Sequence, residues 1–457
     1  MLHAFDTSNG EELWGFIPPS IINKLPKMIS STANYTNSIY SVDGTTVVKD
    51  IFFDNTPDDG VINPKWRTIS ITGLGRGGNS YFALDITNPS SPVHLFTVEN
   101  DDLNKMVHFW NSAGNKTSYL YGGITSTKDY RKLGESWSAP KIVRVRISGV
   151  DKWVAVFGGG FNGGTNSNVG SAVFVMDLEN GGDILKKIDI ADNAVNGIAN
   201  SIPADLTVIT ANGTELAEYY GAMVYAADYE GKLTKINLTS NGTMYDQVQL
   251  FDSETTTANG RYIFFGAEPG IVSGNVWLYF GTGDMQHIQE QSSSVQNRMY
   301  GIKDVNFPNF VVPSTLGTIA QCKKTNTPNG ICPTDADLGW YVDLEKSQKV
   351  TAQATISSNN ESVYFSVYEP STGENICQAG DAYLKANTTN CGETILSEKV
   401  GKGVLTKVVT TGNNIVVGIS GTANVSSSNL SVKDNLISGK QLGNPLSLIS
   451  VETWREN

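Results

Sequence analysis

The sequence predicts an all-β chain assembled as a β-propeller. Three observations carry that expectation. Helical periodicity is almost absent; short apolar or alternating runs bounded by Gly, Asn, Asp and Pro recur along the chain; and one two-strand unit repeats. The unit is a strand ending near Gly or Ala, a turn or insertion, then a strand of the form apolar-x-apolar-apolar-Asp followed by a turn. One such small sheet cannot bury both faces by itself, whereas sheets repeated about an axis can, and circular closure protects their edges.

The first unit is Leu2-His3-Ala4-Phe5-Asp6, running into Thr7-Ser8-Asn9-Gly10. Its preceding strand is missing, so the chain reads as starting inside a repeat. In the later units the paired segments are Trp66–Thr72 with Tyr81–Asp85, and Lys152–Phe157 with Val173–Asp177. They continue as Met223–Ala227 with Lys232–Leu238, Val276–Phe280 with Met299–Asp304, and Val363–Val367 with Ala382–Asn387. The markers Asp6, Asp85, Asp177, Asn237 and Asp304 lie 60 to 92 residues apart, whereas ordinary blades take about 40–50. The excess is expected as insertions near Glu99–Glu135, Ile188–Tyr220, Val305–Leu338 and Gln378–Thr389, and long loops on a rigid scaffold are where binding functions sit. The expected organisation is a propeller over 1–425 and a C-terminal strand or tail, 426–457, that closes it.

Composition narrows the function. The 457 residues include 46 Gly, 39 % are hydrophobic and only 17 % are charged. A net charge of −12 disfavours nucleic acid as a partner, because phosphate binding needs a basic footprint. No apolar run reaches transmembrane length, and Met1–Asp6 has neither the basic nor the apolar region of a signal peptide. Cys322 and Cys332 are ten residues apart, and Cys377 and Cys391 fourteen. The even count and local spacing suggest two loop-closing disulfides and an oxidising compartment, each bond contributing about 3 kcal/mol. Free thiols are the alternative; zinc is the weaker rival, because only four His are present and none is in an HxxxH pattern.

The first unit carries a longer motif, Ala4-x-Asp6-x-x-x-Gly10-x-x-x-Trp14. It resembles the blade-docking motif of quinoprotein-like propellers. Its chemistry is structural: Asp and Gly shape the turn between two strands, and the Trp packs between blades. The later copies are degraded, since Asn88-Pro89 follows Asp85 and no Trp follows.

A wider resemblance covers nearly the whole chain. Residues 1–19, from Met1-Leu2-His3 to Phe16-Ile17-Pro18-Pro19, resemble the start of the C-terminal domain of the PilC/PilY family, which are type IV pilus tip-associated adhesins and biogenesis factors. The Gly73–Asp85 hairpin, Ser138–Val143 with Trp153–Gly158, Tyr225–Leu233, Leu278–Gly283, Gly339–Leu344 and the closing Thr453-Trp454-Arg455-Glu456 follow in the family's order. The resemblance implies a modified propeller of about seven blades, exported by a signal in a large N-terminal region that precedes this domain in full-length members. It implies an extracellular place at the pilus tip or outer membrane, with minor pilins and a host-cell or abiotic surface as partners. It also implies support of pilus assembly and twitching, and antagonism of retraction.

Family members often carry an EF-hand-like calcium loop before the Tyr-Ala-x-Asp strand. Aligned on Ser201–Asp205, its ligand positions here are Thr210, Asn212, Thr214, Leu216 through its carbonyl, and Glu218. Calcium takes six to eight oxygens, and carboxylates set the affinity. Two expected acidic residues are Thr here, so calcium binding and its regulatory role are open, with Asp205 and Asp228 as alternative contributors.

The rival readings are an outer-membrane assembly propeller that binds partner subunits only, and an enzyme. Quinoprotein oxidoreductases with pyrroloquinoline quinone typically place adjacent cysteines beside the cofactor; this chain has none, so no such cofactor is expected. A hydrolase could recruit His3 or His287, but no Gly-x-Ser-x-Gly elbow occurs, and His3 reads as a packing residue in a strand. Phe157–Gly164 resembles a phosphate loop in glycine content alone, without the Lys-Ser/Thr ending, and reads as a tight connection. The expected mechanism is recognition and not chemistry.

Overall fold

The computed structural model describes residues 1–30, 39–53, 65–161, 169–190, 198, 200–213, 216–326, 330–372 and 378–443. Among them the chain forms seven separate sheets. The first is the hairpin Leu2–Phe5 with Glu12–Phe16. The second has six strands in sequence order, Thr46–Phe53, Lys65–Gly73, Ser80–Asp85, Val93–Asp101, Met106–Trp110 and Lys116–Leu120. The third is a four-stranded meander, Lys141–Ile147, Val150–Gly158, Ala172–Asp177 and Ile184–Asp189. The fourth begins with Thr207–Thr210, Gly221–Ala227, Lys232–Thr239 and Gln247–Asp252.

The fifth sheet runs Glu268–Val272, Asn275–Gly281, Arg298–Asp304 and Gly339–Asp343, with Cys322–Lys324 added in parallel at the edge. The sixth is built around Ser362–Glu369, Asp381–Thr388 and Thr394–Lys402. The seventh orders Val409–Thr411, Asn414–Gly418, Leu436–Lys440 and Leu430–Lys433. The chain divides into two compact units: Met1–Thr257, Tyr262–Gly266 and Asn306–Gly317 in one, and Ala258–Arg261, Ala267–Val305 and Thr318–Asn457 in the other.

Within each unit, burial explains why the sheets repeat. Ala172–Asp177 is buried at every position, because both faces of its sheet are covered. Alternate residues serve different cores, as the two-residue period of a strand demands. Ala155, Phe157, Phe174 and Met176 join Ile69, Ile71, Tyr81 and Phe96 of the second sheet. Val154, Val156, Val173 and Val175 point the other way and join Ala222, Val224, Ile236 and Leu238 of the fourth. The same happens in the other unit: Val363, Phe365 and Val367 pack with Trp277, Tyr279 and Trp340, while Tyr364 packs with Ile415, Val417 and Ile437. The third and sixth sheets are thus each sandwiched between their neighbours, and a buried large apolar side chain there contributes about 2 kcal/mol.

The Asp that marks each repeat closes a side-chain turn. Asp6 Oδ1 accepts the Ser8 N–H and hydroxyl at 2.8 and 2.6 Å. Asp85 does the same with Thr87 at 2.9 and 2.6 Å, and Asn237 with Thr239 at 2.9 and 2.6 Å. Asp177 accepts the Glu179 N–H at 2.9 Å. A short oxygen acceptor two residues before a free N–H ends the strand and turns the chain, so the repeat is a strand-termination signal.

All the strand pairs read from the sequence are antiparallel neighbours here, with bounds shifted by one or two residues. Three expectations need correction. The stretch Glu99–Glu135 is not a simple loop insertion, because Met106–Trp110 and Lys116–Leu120 extend the second sheet. Gln378–Thr389 is no insertion: Asp381–Thr388 is a central strand, paired on both sides. His3 is not packed in a core; it is exposed on its strand, with Nδ1 2.9 Å from Glu12 Oε1 across the hairpin. Beyond residue 425, the hairpin Leu430–Lys433 with Leu436–Lys440 pairs with Asn414–Gly418.

The cysteine pairing also differs. Cys332 is bonded to Cys391, 59 residues along the chain, and Cys322 is a buried free thiol. The local pair Cys322–Cys332 fails because Cys322 sits on a strand beside Gly339, its side chain turned into the protein where the thiol faces Thr318 O at 3.9 Å. Cys391 lies in the turn between two strands of the sixth sheet, which brings it to the Cys332 loop. Cys377 lies outside the described residues. A 59-residue loop raises the entropic contribution of the bond to about 4 kcal/mol. Burial pushes the Cys322 thiol up to about 12, which keeps it protonated and inert.

Candidate functional site

The docking motif forms a compact corner. Ala4 pairs with Trp14 across the first hairpin. Asp6 O accepts the Gly10 N–H at 2.7 Å, and Gly10 adopts φ +78°, a conformation that glycine takes without steric cost. The Ser8 bonds hold the Asp6 carboxyl below its usual range. Trp14 Nε1 donates to Pro89 O at 2.8 Å, 75 residues away at the turn that closes the Ser80–Asp85 strand. Its ring, with Phe16 and Ile17, packs on Ile21, Leu74, Phe82 and Leu84. Trp14 contacts the second sheet and its Pro89 turn, while Asp6 and Gly10 shape the turn of the first hairpin.

The glycine-rich stretch after Phe157 is a seam of the scaffold. The Gly158 N–H donates to Ser138 Oγ at 3.0 Å. Those of Gly159, Gly160 and Phe161 donate to the carbonyls of Ala172, Ile202 and Glu135, at 2.7, 3.0 and 2.9 Å. A phosphate cradle needs backbone N–H groups turned to the ligand, and these four are spent on protein acceptors. The glycines are required by closeness: a Cβ on Gly158 would lie 2.4 Å from Ile202 Cγ2, and one on Gly160, at φ +86°, 2.1 Å from Glu135 O. Trp137, Phe161, Tyr229 and Phe264 pack against one another beside this crossing.

The expected calcium loop follows strand Thr207–Thr210. Thr210 ends that strand and a single 3₁₀ turn, Ala211–Gly213, follows. Thr214 and the Asn212 side chain lie outside the described residues. Leu216 is half-buried, and Glu218 is exposed. Asp205 is engaged elsewhere: Oδ1 accepts the Ala139 N–H at 2.7 Å and Oδ2 faces Lys141 Nζ at 3.3 Å. Asp228 is 1 % exposed and turned toward Lys232, its Oδ1 accepting the Lys232 N–H at 3.0 Å. Burial pushes its carboxyl well up. Glu218 is the one carboxylate that the described part of the loop offers.

Of the two histidines that a hydrolase reading would recruit, His3 faces Glu12, while His287 faces Asp284 with Nδ1 2.8 Å from Oδ2. Sequence spacing alone did not join His287 to Asp284 and Glu290, because they meet in an irregular turn with no motif of its own.

Small sheets that share cores with their neighbours in sequence within each unit define a β-propeller scaffold. Residues 1–277 match the family described as the PilY1 beta-propeller domain, and the chain belongs to that family. A type IV pilus biogenesis factor PilY1 homolog of Xylella fastidiosa is 26 % identical over 418 residues, 84 % of this chain and 25 % of that protein. Type IV pilus biogenesis factor PilY1 of Pseudomonas aeruginosa is 29 % identical over 241 residues, 53 % of this chain and 16 % of that protein. The chain thus spans a quarter or less of the length of these relatives. The crystal structure of the Pseudomonas aeruginosa PilY1 C-terminal domain superposes with a TM-score of 0.59 at 18 % identity, covering 93 % of this chain and 90 % of that one. That likeness shows the fold.

Proposed function

We propose that this chain is the recognition domain of a type IV pilus biogenesis factor, displayed at the cell surface, where it supports pilus assembly against retraction and contributes to adhesion. The observation that carries the reading is the family match over residues 1–277, joined to relatives named as pilus biogenesis factors. The scaffold agrees with a binding role. Its glycine-rich crossing and its Asp turns are committed to holding sheets together, so recognition falls to exposed turns. The domain acts without chemistry of its own. Its partners in this reading are minor pilins at the pilus tip and a host-cell or abiotic surface.

The test is surface piliation, counted by electron microscopy in a strain lacking the gene, with adherence scored in parallel. Loss of pili that return when retraction is also disabled supports the assembly role. Normal pili with poor adherence would make the protein a dedicated adhesin. Normal pili with normal adherence would overturn the reading.

A further inference from the structure

One group of donor side chains gathers in a single turn outside the sites described above. In the turns after strand Asn275–Gly281, Asp284, His287 and Glu290 each offer a ligand atom, and the three atoms lie within 4.8 Å of one another. Among the described residues this is the one set of three or more His, Cys, Asp and Glu side chains so gathered. Its donors are mixed, two carboxylates and an imidazole.

The geometry is built on the buried member. Asp284 is 6 % exposed, and its Oδ1 accepts the N–H groups of Gln286 and His287 at 2.8 and 3.3 Å. That fixes the carboxylate and leaves Oδ2 facing His287 Nδ1 at 2.8 Å. The Glu290 N–H donates to His287 O at 3.0 Å, which turns the chain so that Glu290 returns to the same side. The Glu290 carboxylate makes no hydrogen bond or ion pair with any described residue. The nearby ammonium, Lys349, is 1 % exposed and does not take it: Nζ donates to the main-chain carbonyls of Glu290 and Ser347 at 2.7 and 3.2 Å. The ligand positions are left open.

We propose that Asp284, His287 and Glu290 form a site for a divalent first-row transition ion of the zinc, nickel or copper type. Two donors each about 2.0–2.1 Å from such an ion and held 2.8 Å apart subtend roughly 90° at the metal, the angle of square-planar nickel or copper, and a parting of about half an ångström opens it to the tetrahedral angle of zinc. The ion replaces the proton between Asp284 and His287, and a small movement of the exposed Glu290 side chain completes three ligands. An imidazole with two carboxylates selects against calcium, which wants six to eight oxygens. Three protein ligands leave positions for water or for a partner's carboxylate. The site differs in place and chemistry from the Thr210–Glu218 loop, and it does not depend on the pilus reading.

The test is zinc binding by the whole chain, measured by isothermal titration at neutral pH with calcium in excess. One zinc per chain is expected, with affinity falling at least tenfold in His287→Ala and in Glu290→Gln, and unchanged in His3→Ala and Glu218→Gln. A second measurement needs no variant: on addition of zinc the His287 ring signals should shift before those of His3, His94 and His108. No zinc bound, binding that survives His287→Ala, binding lost equally in His3→Ala, or simultaneous shifts of all four histidines would each overturn the site.

Discussion

Two parts of this molecule carry chemistry-like sequences and behave in opposite ways. The glycine-rich crossing Gly158–Phe161 resembles a ligand loop, yet its N–H groups bond to Ser138, Ala172, Ile202 and Glu135. The Asp284–Glu290 turn has no recognisable motif, yet it gathers three donors, one of which makes no bond to the scaffold. A group that has met its hydrogen-bond capacity inside the fold has none left for a partner. What distinguishes a seam from a site is therefore where its donors and acceptors go.

The largest expected effect falls on the seam. Gly160→Ala places a methyl 2.1 Å from the Glu135 carbonyl oxygen in a left-handed backbone conformation. Relieving that contact means breaking the Glu135–Phe161 bridge. The loss should be about 3 kcal/mol or more, read as a shifted urea midpoint or as failure to fold. A stable, soluble Gly160→Ala protein with an unchanged midpoint would show that the crossing is not the seam described.

Next comes the covalent tie between two turns. Cys332→Ser opens the 59-residue loop closed on Cys391. It should destabilise the oxidised protein by about 2–4 kcal/mol and change nothing once the wild type is reduced. Thiol labelling checks the pairing: native Cys322 should resist a thiol reagent until the chain unfolds, because it is buried and its thiol is held up to about 12. Rapid native labelling of Cys322 would contradict the pairing.

The legibility of the fold follows the same division. The central strands were readable because both their faces are buried, which leaves near-continuous apolar runs such as Val173-Phe174-Val175-Met176. The outer strands were not: Lys116–Leu120 is mostly exposed, and Thr394–Lys402 alternates, so neither forms a block of hydrophobicity. The seventh sheet escaped because its strands are three to five residues long. The docking corner was legible because Asp6, Gly10 and Trp14 are local to one hairpin. The disulfide was not, because sequence distance says nothing of which turns a stack of sheets brings together. The Asp284 turn was invisible for the same reason, since only its folded path makes one site of three side chains.

An intermediate effect should come from Glu99, a half-buried acid on strand Val93–Asp101. Burial, aided by Asp101, pushes its carboxyl up to about 7 against the pull of Lys116 and Lys24. The folded state then holds a proton that the unfolded chain, with a carboxyl near 4.5, has released. Stability should therefore fall as pH rises from 4.5 to 7 and level off above. The change is on the order of 1–3 kcal/mol. Glu99→Gln should remove that slope and stabilise the protein above neutrality, as urea midpoints at pH about 5 and 8 would show. Equal slopes in the two proteins would place the Glu99 carboxylate in water and not in the buried surroundings of its strand.

The smallest effect belongs to the turn. His287 is 69 % exposed, and its one bond to Asp284 joins two groups already at the surface or anchored by main-chain N–H groups. His287→Ala should change the metal-free stability by less than about 0.5 kcal/mol, against the several lost in Gly160→Ala. Such a result would sharpen the contrast, because a side chain that contributes nothing to holding the fold is free to be specified by what it binds. A loss of about 2 kcal/mol or more would reverse it, making the Asp284–His287 pair a structural clasp like the Asp turns of the repeats.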